Sequence, residues 1–456
     1  MRILLVQALS VDNPSAEKVY PLGLILLATP ILRGGHEVQV LDMNMEADPF
    51  GALKEQLLTF RPRVVCFALR NIDPLANKRY SLFPPFAAAV KLTAALLPEA
   101  CLVAGGTGFS LFPARLMQEL PALHYGFVGE AERPLPVLLD HLSNPPPLPG
   151  LCRRVGGNIK VNPPATDFNM ACYLQPSWDL LPPSRYAGAN QYVPAIGIET
   201  KRGCPFTCAY CVYPALQGRT LRCRPPAQVA EEMAVLQTQY GIERFHFTDP
   251  VLNIPAGHLE AICHEIIRRG LKVRWNGFFR EDFLTEEQAA LSEEAGCECF
   301  SFSPDGLCQA ALEVLDKKLS EADILRAARI AAETGVLTVY HFMVNVPGET
   351  EATCLKAERF LEQLFDIHSV KKNLGTIVLN NIRILPGTVM AARARRDGVI
   401  GPRTDLLYPA YYNPPPFDNF RYRLETLRQC KEVFMWTGGG MKNEDSSAGA
   451  SADFPA

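Results

Sequence analysis

Thr200-Lys201-Arg202-Gly203-Cys204-Pro205-Phe206-Thr207-Cys208-Ala209-Tyr210-Cys211 sets three cysteines in a C-x3-C-x2-C array. Thiolates are the protein ligands that iron–sulfur clusters use, and three within so short a loop can wrap one cubane. Three ligands leave one iron without a protein donor, whereas a structural zinc site or a ferredoxin takes four. An open iron is what a substrate-chelating cluster requires, so Cys204, Cys208 and Cys211 are read as ligands of a [4Fe–4S] cluster. The competing reading is a zinc loop or three buried thiols, with Cys223 twelve residues on as a fourth zinc ligand. The surrounding pattern argues against it.

Immediately before the array, residues 195–199 read as a strand. After it, a helix runs from about Pro225, with Val229, Met233 and Leu236 on one face. Apolar strands follow at 244–247, 273–278, 299–303, 336–344 and 376–384, with helices beginning near Ala256, Thr285, Ser320 and Thr350. Six βα units predict a partial (β/α)6 barrel, whose active site lies at the C-terminal ends of its strands. Upstream, apolar runs at 3–6, 37–41, 64–69, 101–104 and 125–128 alternate with helical patterns at 22–32 and 86–97. That alternation predicts a parallel sheet covered on both faces, hence an α/β chain. Pro145, Pro146, Pro147 and Pro149 form a stiff connector. The expected divisions are an α/β domain at 1–143, a linker at 144–192, the barrel at 193–390, a Tyr/Pro/Asn-rich cap at 391–436 and a disordered tail at 437–456.

The chain has 456 residues, 48% of them hydrophobic, and a formal net charge of −3. That balance gives no reason to expect a nucleic-acid or anionic-membrane partner. No uncharged apolar run is long enough to span a bilayer, and the first residues are too short in apolar character for a signal peptide, so a cytoplasmic protein is expected. Most of the 14 cysteines, such as Cys66, Cys101, Cys263 and Cys354, sit singly in apolar segments, where a reduced thiol behaves as a small hydrophobe.

The array and its flanks resemble the radical SAM superfamily. The resemblance implies that the open iron binds S-adenosylmethionine (SAM), and that electron transfer splits it into methionine and a deoxyadenosyl radical. It implies SAM contacts at Phe206 and Tyr210 in the loop, at Asp249 after the second barrel strand, and at Ser303 and Asp305 at the end of the fourth. Val346-Pro347-Gly348-Glu349-Thr350 is similar to the family's Gly-x-Pro-Gly-Glu-Thr turn, with Asn345 where glycine is usual. Asp249 and Asp305 have the plainer alternative of capping a helix.

Val103-Ala104-Gly105-Gly106-Thr107-Gly108 and Val128-Gly129-Glu130-Ala131-Glu132, each after a strand, extend the likeness. With Pro21-Leu22-Gly23-Leu24 they resemble the cobalamin-binding radical SAM class, in which a flavodoxin-like (Rossmann-type) sheet carries a corrinoid. The resemblance covers residues 1 to about 430 and implies cobalamin contacts at Leu22, Gly23, Arg70, Gly105, Gly106, Thr107, Gly129 and Glu130. The Asp-x-His-x-x-Gly motif that supplies a histidine to cobalt elsewhere is absent. Asp366-Ile367-His368 is followed by Lys371 and lies in the barrel half, so a lower axial position that is empty or filled by a non-histidine group is implied. Such a pair of cofactors implies methyl transfer from SAM through methylcobalamin to a carbon of a small molecule. It also implies an electron donor such as flavodoxin or ferredoxin. Ile198 to Gly203, Tyr213-Pro214, Asp249 to Asn253 and Arg383 to Thr388 resemble a cofactor-biosynthesis subgroup that includes the methyltransferase of anaerobic benzimidazole synthesis. Tyr340, His341, Arg383 and Tyr411 are candidate substrate contacts. The alternatives are a corrinoid-using cyclase or rearrangement enzyme, a lipid or antibiotic methylase, and a non-enzymatic iron–sulfur or corrinoid carrier.

Overall fold

The computed structural model describes residues 1–10, 17–74, 80–190, 193–412, 423–424, 434–437 and 440–441. In its first half, β1 (Arg2–Gln7), β2 (Glu37–Asp42), β3 (Val64–Ala68), β4 (Cys101–Gly105) and β5 (Tyr125–Phe127) alternate with α1 (Leu22–Arg33), α2 (Pro49–Phe60), α3 (Phe83–Leu96), α4 (Thr107–Leu111) and α5 (Pro113–Glu119). The strands lie parallel in the order β2-β1-β3-β4-β5. β1 shows why: Ile3 and Leu5 feed one core and Leu4 and Val6 another. Only a sheet covered on both faces buries both rows of a strand.

The sheet does not stop at the first domain's expected end. After α6 (Pro134–Asp140), β6 (Leu151–Val155) and β7 (Asn158–Val161) add antiparallel to β5, so the expected linker contributes a hairpin. Gly156 and Gly157 turn it with φ of 56° and 82°, values that suit the two-residue hairpin turn and that glycine adopts without strain.

In the second half, β8 (Gly197–Ile198) leads to β9 (Lys201–Arg202), the cysteine loop, α7 (Tyr213–Gln217) and β10 (Arg222–Cys223). β9 and β10 pair antiparallel and close the loop at its base. Five βα units follow. The helices are α8 (Pro226–Tyr240), α9 (His258–Arg268), α10 (Glu286–Glu294), α11 (Gln309–Val314), α12 (Glu321–Ala332) and α13 (Glu351–His368). The strands are β11 (Arg244–Phe247), β12 (Arg274–Phe279), β13 (Cys297–Asp305), β14 (Leu337–Val344) and β15 (Leu374–Arg383). β8 and β11 to β15 run parallel in sequence order as an open barrel. α14 (Val389–Arg396) and β16 (Tyr411–Tyr412), which pairs with the end of β15, belong to the expected cap; β17 (Phe434–Thr437) adds parallel to β15, and β18 (Gly440–Met441) pairs antiparallel with β17. The rest of the expected cap and tail falls largely outside the described residues.

One apolar cluster runs from the first sheet (Ile3, Leu5, Val103) through Trp178 and Tyr186 to the barrel (Ile198, Phe247, Phe302). The expected division at 143–193 is therefore a seam in one core. Among the described residues no helix is long and apolar enough to cross a membrane.

Candidate active site

Backbone contacts from three directions hold the cysteine loop. Gly203 has φ of 93°, and a Cβ there would lie 2.2 Å from Thr220 O, so the turn into Cys204 requires glycine. Cys204 N donates to Gly218 O (3.1 Å), Ala209 N to Leu315 O (2.8 Å), and Met390 N to Ala209 O (2.8 Å). The Arg280 guanidinium lies 3.8 Å over the Phe206 ring and donates to Lys317 O at 2.7 Å. Phe206 thereby packs under the loop.

The three thiols are near enough to influence one another. Burial pushes all three up, Cys211 to about 12, and the Lys317 ammonium opposes it at each. A buried cation beside three sulfurs suits an anionic cluster. Among the described residues no three His, Cys, Asp or Glu side chains converge on a single metal ion. Ligands to separate irons of a cubane are held further apart than the sulfurs of a zinc site. Cys223 stands apart: its charged neighbours are Lys201 and Asp249, not the triad. The donors fit a cluster better than zinc.

Asp249, just beyond β11, is fully enclosed. Its Oδ1 accepts from Thr200 N (2.8 Å) and Lys201 N (3.1 Å), and its Oδ2 from the Thr200 hydroxyl. Lys201, equally buried, donates to Leu252 O (2.5 Å) and Ile254 O (2.7 Å). The carboxylate thus sets the strand that enters the cysteine loop. Asp305, at φ 63°, accepts from the Tyr210 hydroxyl and pairs with Lys317 at 2.8 Å. Tyr210, Asp305 and Lys317 therefore form one buried unit beside the cysteines, and Ser303 lies half-buried two residues before Asp305.

In the first domain the two glycine turns diverge. After β4, Gly106 (φ 95°) and Gly108 pack on the exit of β3. A Cβ would lie 2.7 Å from Leu69 O at position 106 and 2.9 Å from the Asn71 carbonyl carbon at 108. A Cβ at Gly105 would touch only Phe127 O, at 3.8 Å, one at Gly23 would meet nothing within 4 Å, and Thr107 is exposed. Leu22 borders Gly197 of β8. After β5, by contrast, Glu130 is gripped by Arg222 (2.6 and 3.0 Å), and Glu132 by Arg202 (2.5 Å), which also holds Glu199 (2.9 Å). Gly129 N donates to Ser110 Oγ (3.0 Å). This second turn docks the halves together, and the Glu130 carboxylate, expected at the corrinoid, is held by Arg222.

Arg70 and Tyr213 mark what lies between. Arg70 is exposed and Tyr213 is 39% exposed, yet burial is the largest influence on each, lowering the guanidinium and raising the phenol. Each is a leading charged neighbour of the other, Tyr213 also senses Cys211, and His246 of β11 senses Arg70. The exit of β3, the end of the cysteine loop and β11 thus come within electrostatic reach of one another.

Of the expected substrate contacts, His341 faces the barrel interior, 5.3 Å from the Phe278 ring. Tyr340 does not. It points to the outer helices, wholly buried, with its hydroxyl 2.9 Å from His368 Nε2, because successive strand residues face opposite ways. Arg383 is also withdrawn: it pairs with Asp73 at 2.7 Å and donates to Leu406 O (2.9 Å), tying the barrel to the first domain. Tyr411 is paired opposite it in β16. The sequence reading missed Lys317, Arg280, Arg202, Arg222, His246, Asn276 and Phe278. Arg202 sits in the cysteine array but carries no ligand chemistry there, and the others sit in no motif; a histidine at an inward position of a barrel strand was the one available signal.

A parallel α/β sheet stands against an open βα barrel that carries three free thiols. A B12 binding domain model matches residues 11–139, and a Radical SAM superfamily model matches residues 198–361. The chain carries both domains, and with them the cofactors cobalamin, a [4Fe–4S] cluster and SAM. It is 26% identical over 348 residues to an uncharacterized methyltransferase of Pyrococcus horikoshii (75% of this chain, 73% of that one). It is 27% identical over 340 residues to the hopanoid C-3 methylase of Methylococcus capsulatus (73% and 62%). An anaerobic magnesium-protoporphyrin IX monomethyl ester cyclase of Cereibacter sphaeroides is 25% identical over 298 residues (62% and 48%). Among solved structures, a radical SAM methyltransferase of Kitasatospora setae, with cobalamin and a [4Fe–4S] cluster bound, superposes with a TM-score of 0.78. That match covers 93% of this chain and 90% of the other at 22% identity, and it shows the shared fold.

Proposed function

We propose that the protein is a cobalamin-dependent methyltransferase that moves a methyl group from SAM to a carbon of a small molecule. The observation that carries this is the approach of the two halves, with Arg70 after β3 and Tyr213, two residues past Cys211, as charged neighbours of each other. The relatives named as methyltransferases support it. When bound, SAM on the reduced cluster supplies a radical and, with cobalamin, the methyl group; the protein supplies position and exclusion of water.

In this reading Cys204, Cys208 and Cys211 hold the cluster. Phe206, Tyr210, Ser303 and Asp305 form the SAM side, and Asp249 acts there by fixing the strand that carries the loop. Leu22, Gly23, Arg70, Gly105, Gly106 and Thr107 form the corrinoid side. An electron donor of the flavodoxin or ferredoxin kind, in the cytoplasm, reduces the cluster. The acceptor we favour is a benzimidazole-type cofactor precursor, on the resemblance of Ile198 to Gly203 and Arg383 to Thr388 to that subgroup.

The likeness to a cyclase favours one second reading, corrinoid-assisted cyclisation without methyl transfer. Anaerobically reconstituted enzyme given methyl-labelled SAM separates the two. Label in a small-molecule product supports the proposal; deoxyadenosine formation with no label moved overturns it. Cys208→Ala should lose the cluster's iron and all SAM turnover, and unchanged turnover would remove the cluster assignment.

A further inference from the structure

His246 and Asn276 are cross-strand partners on β11 and β12, with the two side chains on the same face of the sheet. His246 Nδ1 lies 2.6 Å from Asn276 Oδ1. The amide oxygen can only accept, so Nδ1 carries the hydrogen and Nε2 is left with a lone pair. His246 is partly exposed and stands one residue before the end of β11, so this face lies at the C-terminal end of the barrel sheet, where the cysteine loop also begins after β9. Phe278, two residues beyond Asn276, sits between two imidazoles: His246 at 6.1 Å, nearly perpendicular, and His341 at 5.3 Å. The inward row of three adjacent strands is completed by Ser301, the register partner of Phe278.

The chemistry of this wall is narrow. Burial lowers both imidazoles, His341 to about 4, so both are neutral near pH 7. Asn276, Ser301 and Phe278 carry no charge. The buried charges nearby are answered, Asp305 by Lys317 and Asp73 by Arg383, and Arg70, the cation that His246 senses, stands on the corrinoid side in the reading above. A charged ligand placed against the wall would lose its hydration with no countercharge among His246, Asn276, Phe278, Ser301 and His341. A flat ring gains aromatic edges and faces, and a ring N–H gains an oriented acceptor.

We propose that the His246–Asn276–Phe278–His341 wall is the methyl-acceptor site, and that it takes an uncharged nitrogen heteroaromatic whose ring N–H donates to His246 Nε2. This rests on the methyltransferase reading. Asn276 is a positioning residue that fixes the imidazole tautomer, and His246 is the specificity-determining contact.

Benzimidazole and its carbon analogue indene, titrated calorimetrically into protein reconstituted with cluster and cobalamin, test it. The wild type should bind benzimidazole about tenfold tighter than indene, the factor that one oriented hydrogen bond supplies. His246→Phe should erase that preference while binding indene as before, and His246→Gln, which restores an acceptor, should recover part of it. Asn276→Leu should weaken benzimidazole alone. Iron content and the corrinoid absorbance, measured on each variant, establish that the protein is loaded and folded. Equal affinity for the two probes in the wild type, no binding of benzimidazole, or a preference that survives in His246→Phe each overturns the assignment. Labelled methyl transfer from SAM to cobalamin, followed without acceptor, reports separately on the methyltransferase reading. If it proceeds while the binding preference is missing, only the acceptor site is wrong.

Discussion

Two turns that look alike in sequence do different work. Gly105-Gly106-Thr107 and Gly129-Glu130-Ala131-Glu132 each follow a strand of the first sheet, and both belong to the pattern that marks a corrinoid domain. The first is glycine-only where it crosses Leu69, and Thr107 beyond it is exposed. The second spends its carboxylates on Arg222 and Arg202, in the ribbon that closes the cysteine loop. One turn leaves room for a ligand, while the other fixes the distance from that room to the thiols. A glycine at a strand end thus signals close approach, but what approaches is read only from the neighbouring charges.

The sharpest way to break this contrast is at Gly106. Valine there needs φ near 95° and places Cβ 2.7 Å from a backbone oxygen, and both are costly for a β-branched residue. Gly106→Val should lose cobalamin on reconstitution, with affinity down about a hundredfold or more, equivalent to strain of about 3 kcal/mol. Retained corrinoid would mean that the turn is not the cradle.

The second turn should fail by stability instead. Arg202→Met leaves Glu132 and Glu199 enclosed without their cation, and removing one partner of a buried pair costs about 3 kcal/mol. Urea unfolding should show that loss. Burial alone would raise the Glu132 carboxyl, but the Arg202 guanidinium outweighs it and holds the group below 4.5. The folded pKa is therefore the lower one. Its stabilisation is present above pH 4.5 and fades as pH falls through the folded value. Wild-type stability should drop in that acid range, and Arg202→Met should flatten the slope. An unchanged slope would remove the dock's charge from the account.

Tyr340 and His341 pose the same question within one strand. Tyr340→Phe removes a hydroxyl bonded to His368, which itself bonds Asn373 at 2.8 Å. It should cost about 1 kcal/mol in stability and leave acceptor affinity alone. Lost affinity would return Tyr340 to the site.

What was legible followed from proximity in sequence. The three cysteines declare themselves because a cluster's ligands fit one loop, and the βα alternation declared both sheets. Glu130 was misread because its partner Arg222 is 92 residues away and belongs to no motif. Tyr340 was misread because, His341 apart, Val339 to Val344 is apolar on both faces, so alternation could not tell inside from outside. His246 was overlooked although Arg244-Phe245-His246-Phe247 alternates, because its partner Asn276 is 30 residues away and neither belongs to a motif. The linker hid a hairpin because a proline cluster masked the Gly156-Gly157 turn that follows it. His368, in the one Asp-x-His, proved to be a packing residue at the end of α13, in keeping with its exclusion as a cobalt ligand.

The smallest expected effect is the most specific. Gly23 stands in the first turn of α1 at a helical backbone, and a methyl group there meets nothing within 4 Å. Alanine is the better helix former, so Gly23→Ala should leave stability within about 0.5 kcal/mol of wild type or raise it slightly. The methyl would nonetheless stand in the open space next to Leu22, at the junction with β8. If that space holds the corrinoid, cobalamin affinity should fall several-fold with the unfolding curve unmoved. If affinity is unchanged, Gly23 is there for the turn into α1 alone, and the cradle narrows to the exit of β4. Gly23 separates ligand room from fold, whereas at Gly106 and Gly108 the same glycine serves both.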